Sequence, residues 1–296
     1  MATGHDDVFH HVRDSHAFEL PKIMGYGGEI PVPFGLSKFM VLQLVAFIAA
    51  LLIFKGLARR IRSGEPAQGR WWNFWEMLAL FIRDNMVRPT IGGGHHGHEG
   101  TEHSPTNPSQ GHSQIVRGGH PADKYLPFVW SCFFYILFCN LLGAIPWLGA
   151  ATGNINVTGA LALVAFSAVV ISGSTEVGPV NFWLSLVPSM DIPAAMKVVL
   201  VPFIWLIELL SLFIKHSVLA VRLFANIMAG HTVIFVLLTF IAAQGVADTS
   251  LFYLVAPASV LAQVAISTLE LFVAFLQAYI FSFLTTVFIS MAIHPH

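Results

Sequence analysis

Long apolar stretches separated by shorter polar segments dominate the chain. The first runs from about Phe39 to Leu57 and is long enough to cross the hydrocarbon core as a helix. Two more, Tyr125 to Ile145 and Ile155 to Ile171, also suit single spans. The last two, residues 198–243 and 251–293, are longer than one perpendicular crossing needs. The pattern predicts an all-α polytopic membrane protein with about five to six membrane helices.

The fourth apolar region permits two interpretations. It is either a tight hairpin or one long, strongly tilted helix. No turn residues interrupt it between Pro202 and Gly230, which favours the long helix. We expect the fifth region, with Pro257 near its start, to be a second long tilted helix.

Polar and basic segments surround the first span. Residues 1–38 are polar and lack the basic-then-apolar pattern of a signal peptide. Residues 58–90 begin with several arginines, so the positive-inside rule predicts that they are cytoplasmic and that the N-terminus is outside. Five crossings would then leave the C-terminus in the cytoplasm. Within this segment, Trp71 to Arg88 is amphipathic and too charged to span, which favours an interfacial or capping helix.

The segment 91–123 is rich in Gly, His, Ser and Pro. Its scarcity of apolar residues predicts an exposed, flexible loop before a membrane channel domain, 124–296. Histidine is a common zinc ligand, but no paired Cys and no regular ligand spacing accompany these histidines, so we expect no metal site. The histidines are His95, His96, His98, His103, His112 and His120.

Composition agrees with a membrane protein and excludes other classes. Only 10% of the residues are charged, whereas soluble domains carry about 25%. A net charge of −1 gives no electrostatic case for nucleic acid. No phosphate-binding loop of the G-x-x-x-x-G-K-[ST] type is present. We therefore expect no bound cofactor.

Ionisable residues inside the fourth region are the first candidates for function, because each such charge costs about 2.5–3.5 kcal/mol at the bilayer centre. Glu208, Lys215 and Arg222 are spaced by seven residues, and Asn226 follows one turn later. Seven residues leave a drift of only about 20° around a helix. These four residues therefore form one polar stripe.

The fifth region has a second stripe with the same spacing. Gln263, Glu270 and Gln277 share one face, and we expect the two stripes to face each other or a common aqueous cavity. His231 lies outside the first stripe, on roughly the opposite side of a straight helix. Either the helix bends at Gly230, or this histidine faces a different cavity.

Structural explanations compete with functional ones for several of these residues. An arginine near a helix end snorkels to the interface, but about twenty mostly apolar residues follow Arg222. Lys215 and His216 suit an interface as well as a channel. Glu208 could be a structural carboxylate paired with Lys215. Gln263 suits a helix–helix hydrogen bond better than a proton relay.

Four motifs resemble those of the F-type ATP synthase subunit a family. They are SVLAVRLFANIMAGHTVIF around Arg222, LELFVAFLQAYIFSFLTTVFISMA in the last helix, NLLGAIP from Asn140, and NINVTGALAL from Asn154. They run in the family's order from about residue 125 to 292. Two positions depart from the family: Gly143 stands where many members carry an acid, and Asn154 stands where Asp or another polar residue is frequent.

The resemblance implies a role for six residues. Arg222 matches the family's essential arginine. Gln277 matches the glutamine that faces it. His231 and Glu270 match a pair of positions occupied by Glu and His in other members, here in swapped order. The remaining two matches are Asn226, one turn after the arginine, and Glu208, an acidic residue that lines a half-channel.

The resemblance also implies the function and the partners. The chain would be a proton-translocating stator subunit with two aqueous half-channels, not an enzyme on its own. Its two long helices would pack against a rotor ring of proteolipid c subunits, beside peripheral-stalk b subunits and the rest of the synthase, in a bacterial inner membrane. Two alternatives are a secondary transporter with a midplane arginine, which predicts an internal repeat, and a structural anchor, which predicts no aligned ionisable residues.

Overall fold

Helices form almost all of the part of the chain that the structure describes. Among the residues that this computed structural model describes, the only strands are two short ones, β1 (Ala17–Glu19) and β2 (Glu29–Pro31). They pair antiparallel with Phe18 opposite Ile30. The predicted all-α polytopic class is confirmed for the membrane part. The described residues are 17–19, 29–31, 37–61, 69–92, 120–145, 149–187, 194–247 and 249–294.

Eight α-helices follow the strands in the described chain. Residues 83–87 are a π-helical segment that joins α2 to α3 without a break, and 3-10 turns at 121–124 and 151–153 precede α4 and α5. The helices are α1 (Lys38–Ile61), α2 (Arg70–Ile82), α3 (Arg88–Gly92), α4 (Leu126–Gly143), α5 (Ile155–Val177), α6 (Pro179–Leu184), α7 (Ala194–Ala247) and α8 (Thr249–Ile293).

Five of the described helices, α1, α4, α5, α7 and α8, are long and apolar enough to cross a membrane. α7 has 54 residues and α8 has 45. At about 1.5 Å per residue these helices are roughly 80 Å and 70 Å long, far more than the hydrocarbon thickness of about 30 Å. Such helices stay in a membrane only when strongly tilted or curved. Because α7 is continuous, the hairpin interpretation is wrong.

The core lies where α4, α5, α7 and α8 meet. Large apolar side chains such as Phe133, Leu219 and Phe281 are fully buried there. α1 packs on α4 through an edge-to-face contact between Phe54 and Phe134, whose ring centroids are 4.7 Å apart. Much of α1, α7 and α8 presents exposed aliphatic side chains, as a lipid-facing surface does.

Contacts between helix ends define two sides of the bundle. At the side where α8 ends, Lys124 pairs with Glu176, and the hydroxyl of Ser290 donates to the carbonyl of Thr90 over 2.7 Å. We call this side I. At the opposite side, side II, Phe39 at the start of α1 is buried against the 3-10 turn that precedes α5. α7 therefore runs from side I to side II, and α8 returns.

The predicted loop 91–123 is described only at its two ends. Residues 91–92 belong to α3, and residues 121–124 form a 3-10 turn. Residues 93–119, with most of the histidines, lie outside the described residues, as do most of the N-terminal 38.

Candidate functional site

The first polar stripe lies on α7. Lys215 Nζ is 4.0 Å from Glu208 Oε1, and both side chains are partly exposed. A pair of this length between exposed groups contributes little to stability. Arg222, two turns further along α7, is partly buried, and no hydrogen bond or ion pair to it is found among the described residues. Its guanidinium is thus the one charge of this stripe without a counter-charge in the part of the chain described.

A cavity of about 240 Å³ lies beside the first stripe, between α5, α6, α7 and α8. Its walls are largely apolar and its charged groups are Glu208 and Lys215. A cavity of this size with polar groups has room for several waters, each needing about 30 Å³. The other lining residues are Val169, Phe182, Ser185, Leu186, Leu212, Phe288, Met291 and Ala292.

The second stripe, on α8, is buried where it approaches the middle of the bundle. Glu270 is 7% exposed and Gln277 is 4% exposed. Glu270 Oε1 and Gln277 Nε2 are buried atoms without a hydrogen-bond partner among the described residues. Gln263 differs from both, because it lines a groove on the exposed face of α8 together with Ser267 and Thr268. The structure thus separates Gln263 from the other two.

A polar side chain of α8 approaches α7 closely at Gly230. The carboxyl group of Glu270 lies against the α-carbon of this glycine, in the space that a side chain would fill. Asn226, one turn earlier on α7, has its Nδ2 buried and without a partner among the described residues. Glu270 of the second stripe therefore reaches α7 on its side II half, past Arg222.

His231 faces a different neighbour. Its imidazole lies within hydrogen-bonding reach of the Gly143 backbone at the end of α4, and the Lys38 ammonium is close enough to act on it electrostatically. His231 Nε2 is buried without a partner, and no hydrogen bond joins this histidine to Glu270 in the described chain. His231 therefore faces the end of α4 and the start of α1.

Two further residues show features that the spacing of charges did not reveal. Asn140 is fully buried, its Nδ2 donates to the carbonyl of Ala274 over 3.3 Å, and its Oδ1 accepts from the Thr152 hydroxyl over 3.1 Å. It thereby ties α4 to α8 one turn after Glu270. The sequence signal that could have identified Asn140 was an amide side chain inside an apolar span. The second residue is His216. Its sequence position suited an interface as well as a channel, and the structure shows that it is buried.

An ion-pair network lies outside the membrane helices, at side I. Arg88 contacts both carboxyl oxygens of Asp123, at 3.1 Å and 3.0 Å. The hydrogen bond from this guanidinium holds the pKa of Asp123 below its usual range, although partial burial opposes the shift. Arg83 lowers the pKa of Asp84 in the same way. The Arg88–Asp123 pair joins the chain before segment 93–119 to the chain after it.

The chain matches known proteins over most of its length. The family described as ATP synthase A chain matches residues 109–290, which include all six candidate residues. The chain is 34% identical to ATP synthase subunit a of Chloroherpeton thalassium, over 97% of this chain and 76% of that protein. It is 34% identical to the same subunit of Myxococcus xanthus, over 93% and 82%. For Rhodopseudomonas palustris the identity is 32%, over 95% and 97%. This chain belongs to the ATP synthase A chain family.

Proposed function

We propose that this chain conducts protons through two half-channels to and from a ring of proteolipid c subunits, with Arg222 as the essential residue between them. Family membership makes the chain a membrane-sector subunit of the ATP synthase, involved in proton transport and ATP synthesis and not catalytic by itself. The half-channels, the ring contact and the residue roles are the proposal.

The position of Arg222 carries the proposal. It lies on α7 between the cavity of Glu208 and Lys215 towards side I and the buried carboxyl group of Glu270 towards side II. The distances along the helix axis from Arg222 are about 21 Å to Glu208 and about 12 Å to Gly230, from the rise per residue. A partly buried cation with no partner in the described chain, between two polar regions, suits a barrier that also binds a carboxylate from outside.

A permanent positive charge would do two things at this point. It stabilises the ionised form of an arriving ring carboxylate, so the proton leaves to the exit path. It also repels protons that would pass directly between the half-channels. Arginine suits both tasks because it stays protonated under all physiological conditions, whereas a lysine can lose its proton in a poorly solvated site.

The other candidates divide between the two paths. Glu270 and His231 would relay protons on the side II half, where both are titratable and have buried atoms without partners. Asn226 and Gln277 would orient water and Arg222. Glu208 would line the side I path, through the cavity described above.

The proposed topology rests on the basic residues at the end of α1. α1 ends at side I with Arg59 and Arg60, so the positive-inside rule makes side I cytoplasmic. The N-terminal segment would then lie outside, residues 58–92 and the C-terminus in the cytoplasm, and residues 124–296 would form the channel domain in a bacterial inner membrane. Peripheral-stalk b subunits would complete the stator.

Arg222→Ala in the whole synthase, reconstituted into vesicles, tests the proposal. ATP-driven proton pumping and proton-driven ATP synthesis should both be abolished, because the barrier and the carboxylate partner are lost together. Arg59→Ala, an exposed arginine at the end of α1, is the matched control and should keep both activities. Full coupling in Arg222→Ala would leave the chain as a structural anchor and overturn the proposal.

A further inference from the structure

His216 is buried at the junction of α5, α7 and α8. The residue is only 3% exposed. Its Nδ1 is 2.9 Å from the carbonyl oxygen of Leu212, one turn earlier on α7. The ring lies between Phe166 of α5 and Phe288 of α8, at centroid distances of 5.3 Å and 5.0 Å. The imidazole is therefore held in one orientation.

This orientation fixes the tautomer of the neutral ring. A carbonyl oxygen can only accept a hydrogen bond, so Nδ1 carries the proton and donates it to Leu212. Nε2 is then a free acceptor, and it is buried without a partner among the described residues. Leaving a buried polar atom unpaired costs about 1–3 kcal/mol, so such an atom needs an explanation.

The cavity beside Glu208 and Lys215 lies next to this histidine, although His216 is not one of the residues that line it. Three residues that line that cavity contact or adjoin His216. Leu212 accepts its hydrogen bond, Lys215 precedes it in the sequence, and the ring of Phe288 packs on its imidazole. Along α7, the histidine lies past Lys215 in the direction of Arg222. About 9 Å of helix axis separates His216 from Arg222, from the rise per residue. Along α7, His216 thus lies between the residues that line the cavity and Arg222.

We propose that His216 is a proton-carrying residue of the side I half-channel, located between its cavity and Arg222. This inference rests on the proposed function of the chain. Nε2 accepts a proton from a hydrated proton in the cavity, which leaves neutral water and an imidazolium that still donates through Nδ1. The same nitrogen then returns the proton to the next water, and the neutral ring is regenerated. No other bond forms or breaks, and the step runs in either direction.

Few charged groups lie near His216 among the residues that the structure describes. On α7 they are Lys215 and Glu208, which belong to the same cavity. α5 and α8 face the imidazole with the aromatic rings of Phe166 and Phe288. A pH effect on pumping that arises at this position can therefore be attributed to the histidine and its two charged neighbours on α7.

His216→Gln in the reconstituted synthase tests the assignment. Glutamine can still donate to the Leu212 carbonyl and hold a water, but it does not titrate. We expect its pumping rate to fall about tenfold, and we expect the variant to lack the dependence of pumping on pH that a titrating imidazole would give the wild type. Ser217→Ala, a change at the next residue, is the control and should keep both the rate and the pH dependence.

Each outcome decides between a proton carrier and a packing residue. A wild-type pH profile in His216→Gln would overturn the inference while Arg222→Ala still abolished pumping, so the proposed function would stand. Failure of His216→Gln to co-purify with the ring would also overturn it, because the side chain would then be needed for structure. Coupling retained in Arg222→Ala would instead remove the function on which the inference rests.

Discussion

The carboxyl group of Glu270 occupies the place where Gly230 has no side chain. A β-carbon built on Gly230 would lie 2.6 Å from Oε1 and 2.9 Å from Cδ of Glu270. Real β-carbons do not come this close to other heavy atoms, so only glycine permits this contact without a shift. The approach brings a buried carboxyl group of α8 against the backbone of α7, next to His231.

Gly230→Ala should therefore displace Glu270 while leaving most of the fold intact. The clash involves the far end of a flexible side chain, which can rotate away, and alanine favours helix over glycine by about 1 kcal/mol. We expect thermal stability near that of the wild type but ATP-driven pumping reduced about tenfold or more, as expected for a misplaced proton-transfer group. Pumping in vesicles and thermal unfolding of the purified synthase measure the two effects.

Gly159→Ala on α5 is the matched control for this substitution. A β-carbon at Gly159 would meet no heavy atom within 4 Å. The variant should be equally or slightly more stable and should pump normally. If Gly230→Ala also pumped normally, the contact with Glu270 would have no role in proton transfer.

Glu270→Gln separates the charge of this residue from its shape. Glutamine fills the same space but does not exchange a proton at this position, so we expect pumping to fall by about tenfold to a hundredfold with assembly unchanged. Thr268→Val, on the exposed groove of the same helix, is a control that should pump normally. Wild-type pumping in Glu270→Gln would remove this carboxyl group from the proton path.

Much of the fold was predictable because apolar length and helical spacing are local properties. The seven-residue spacing of Glu208 and Lys215 predicted that they share a face, and their charged atoms lie 4.0 Å apart. An apolar run without turn residues predicted one long helix, and α7 is continuous over 54 residues. Each of these predictions needed only the geometry of a single helix.

Contacts between distant segments were not predictable in this way. His231 approaches Gly143, and Asn140 bonds to Ala274, because α4, α7 and α8 pack with a particular register. The spacing of polar residues along one helix contains no information about that register. The same spacing grouped Gln263 with Glu270, although only the latter is buried between helices.

Asp123→Asn should weaken the side I junction in a pH-dependent manner. Arg88 lowers the pKa of Asp123 below the ordinary value of 3.8. A lowered pKa in the folded state means that the pair stabilises fully above pH 3.8 and loses its contribution as the pH falls through the folded-state pKa. The side chain of Asp123 is 28% exposed. We therefore expect Asp123→Asn to lower the free energy of unfolding by only about 1 kcal/mol at neutral pH.

The thermal unfolding midpoints of wild type and Asp123→Asn, compared at neutral pH and below pH 3.8, check this expectation. The two midpoints should differ at neutral pH and converge in acid. Arg70→Gln, at an exposed position at the start of α2, should show no such pH-dependent difference. A difference between wild type and Asp123→Asn that stayed constant with pH would mean that the ion pair is not its cause.

Asn140→Leu should be the most destabilising of these substitutions. Leucine fills a similar volume but leaves the Thr152 hydroxyl without its acceptor and the Ala274 carbonyl without its side-chain donor, which together cost about 2–3 kcal/mol in a buried site. Because Ala274 lies one turn after Glu270, a looser α4–α8 contact should also slow pumping.

Thr152→Val removes one of the two hydrogen bonds and should lower the thermal midpoint by about half as much, whereas Thr152→Ser keeps the hydroxyl and should be near wild type. If Asn140→Leu unfolded at the wild-type temperature, the bonds from Asn140 would not hold α4 to α8, and its influence on Glu270 would have to be abandoned.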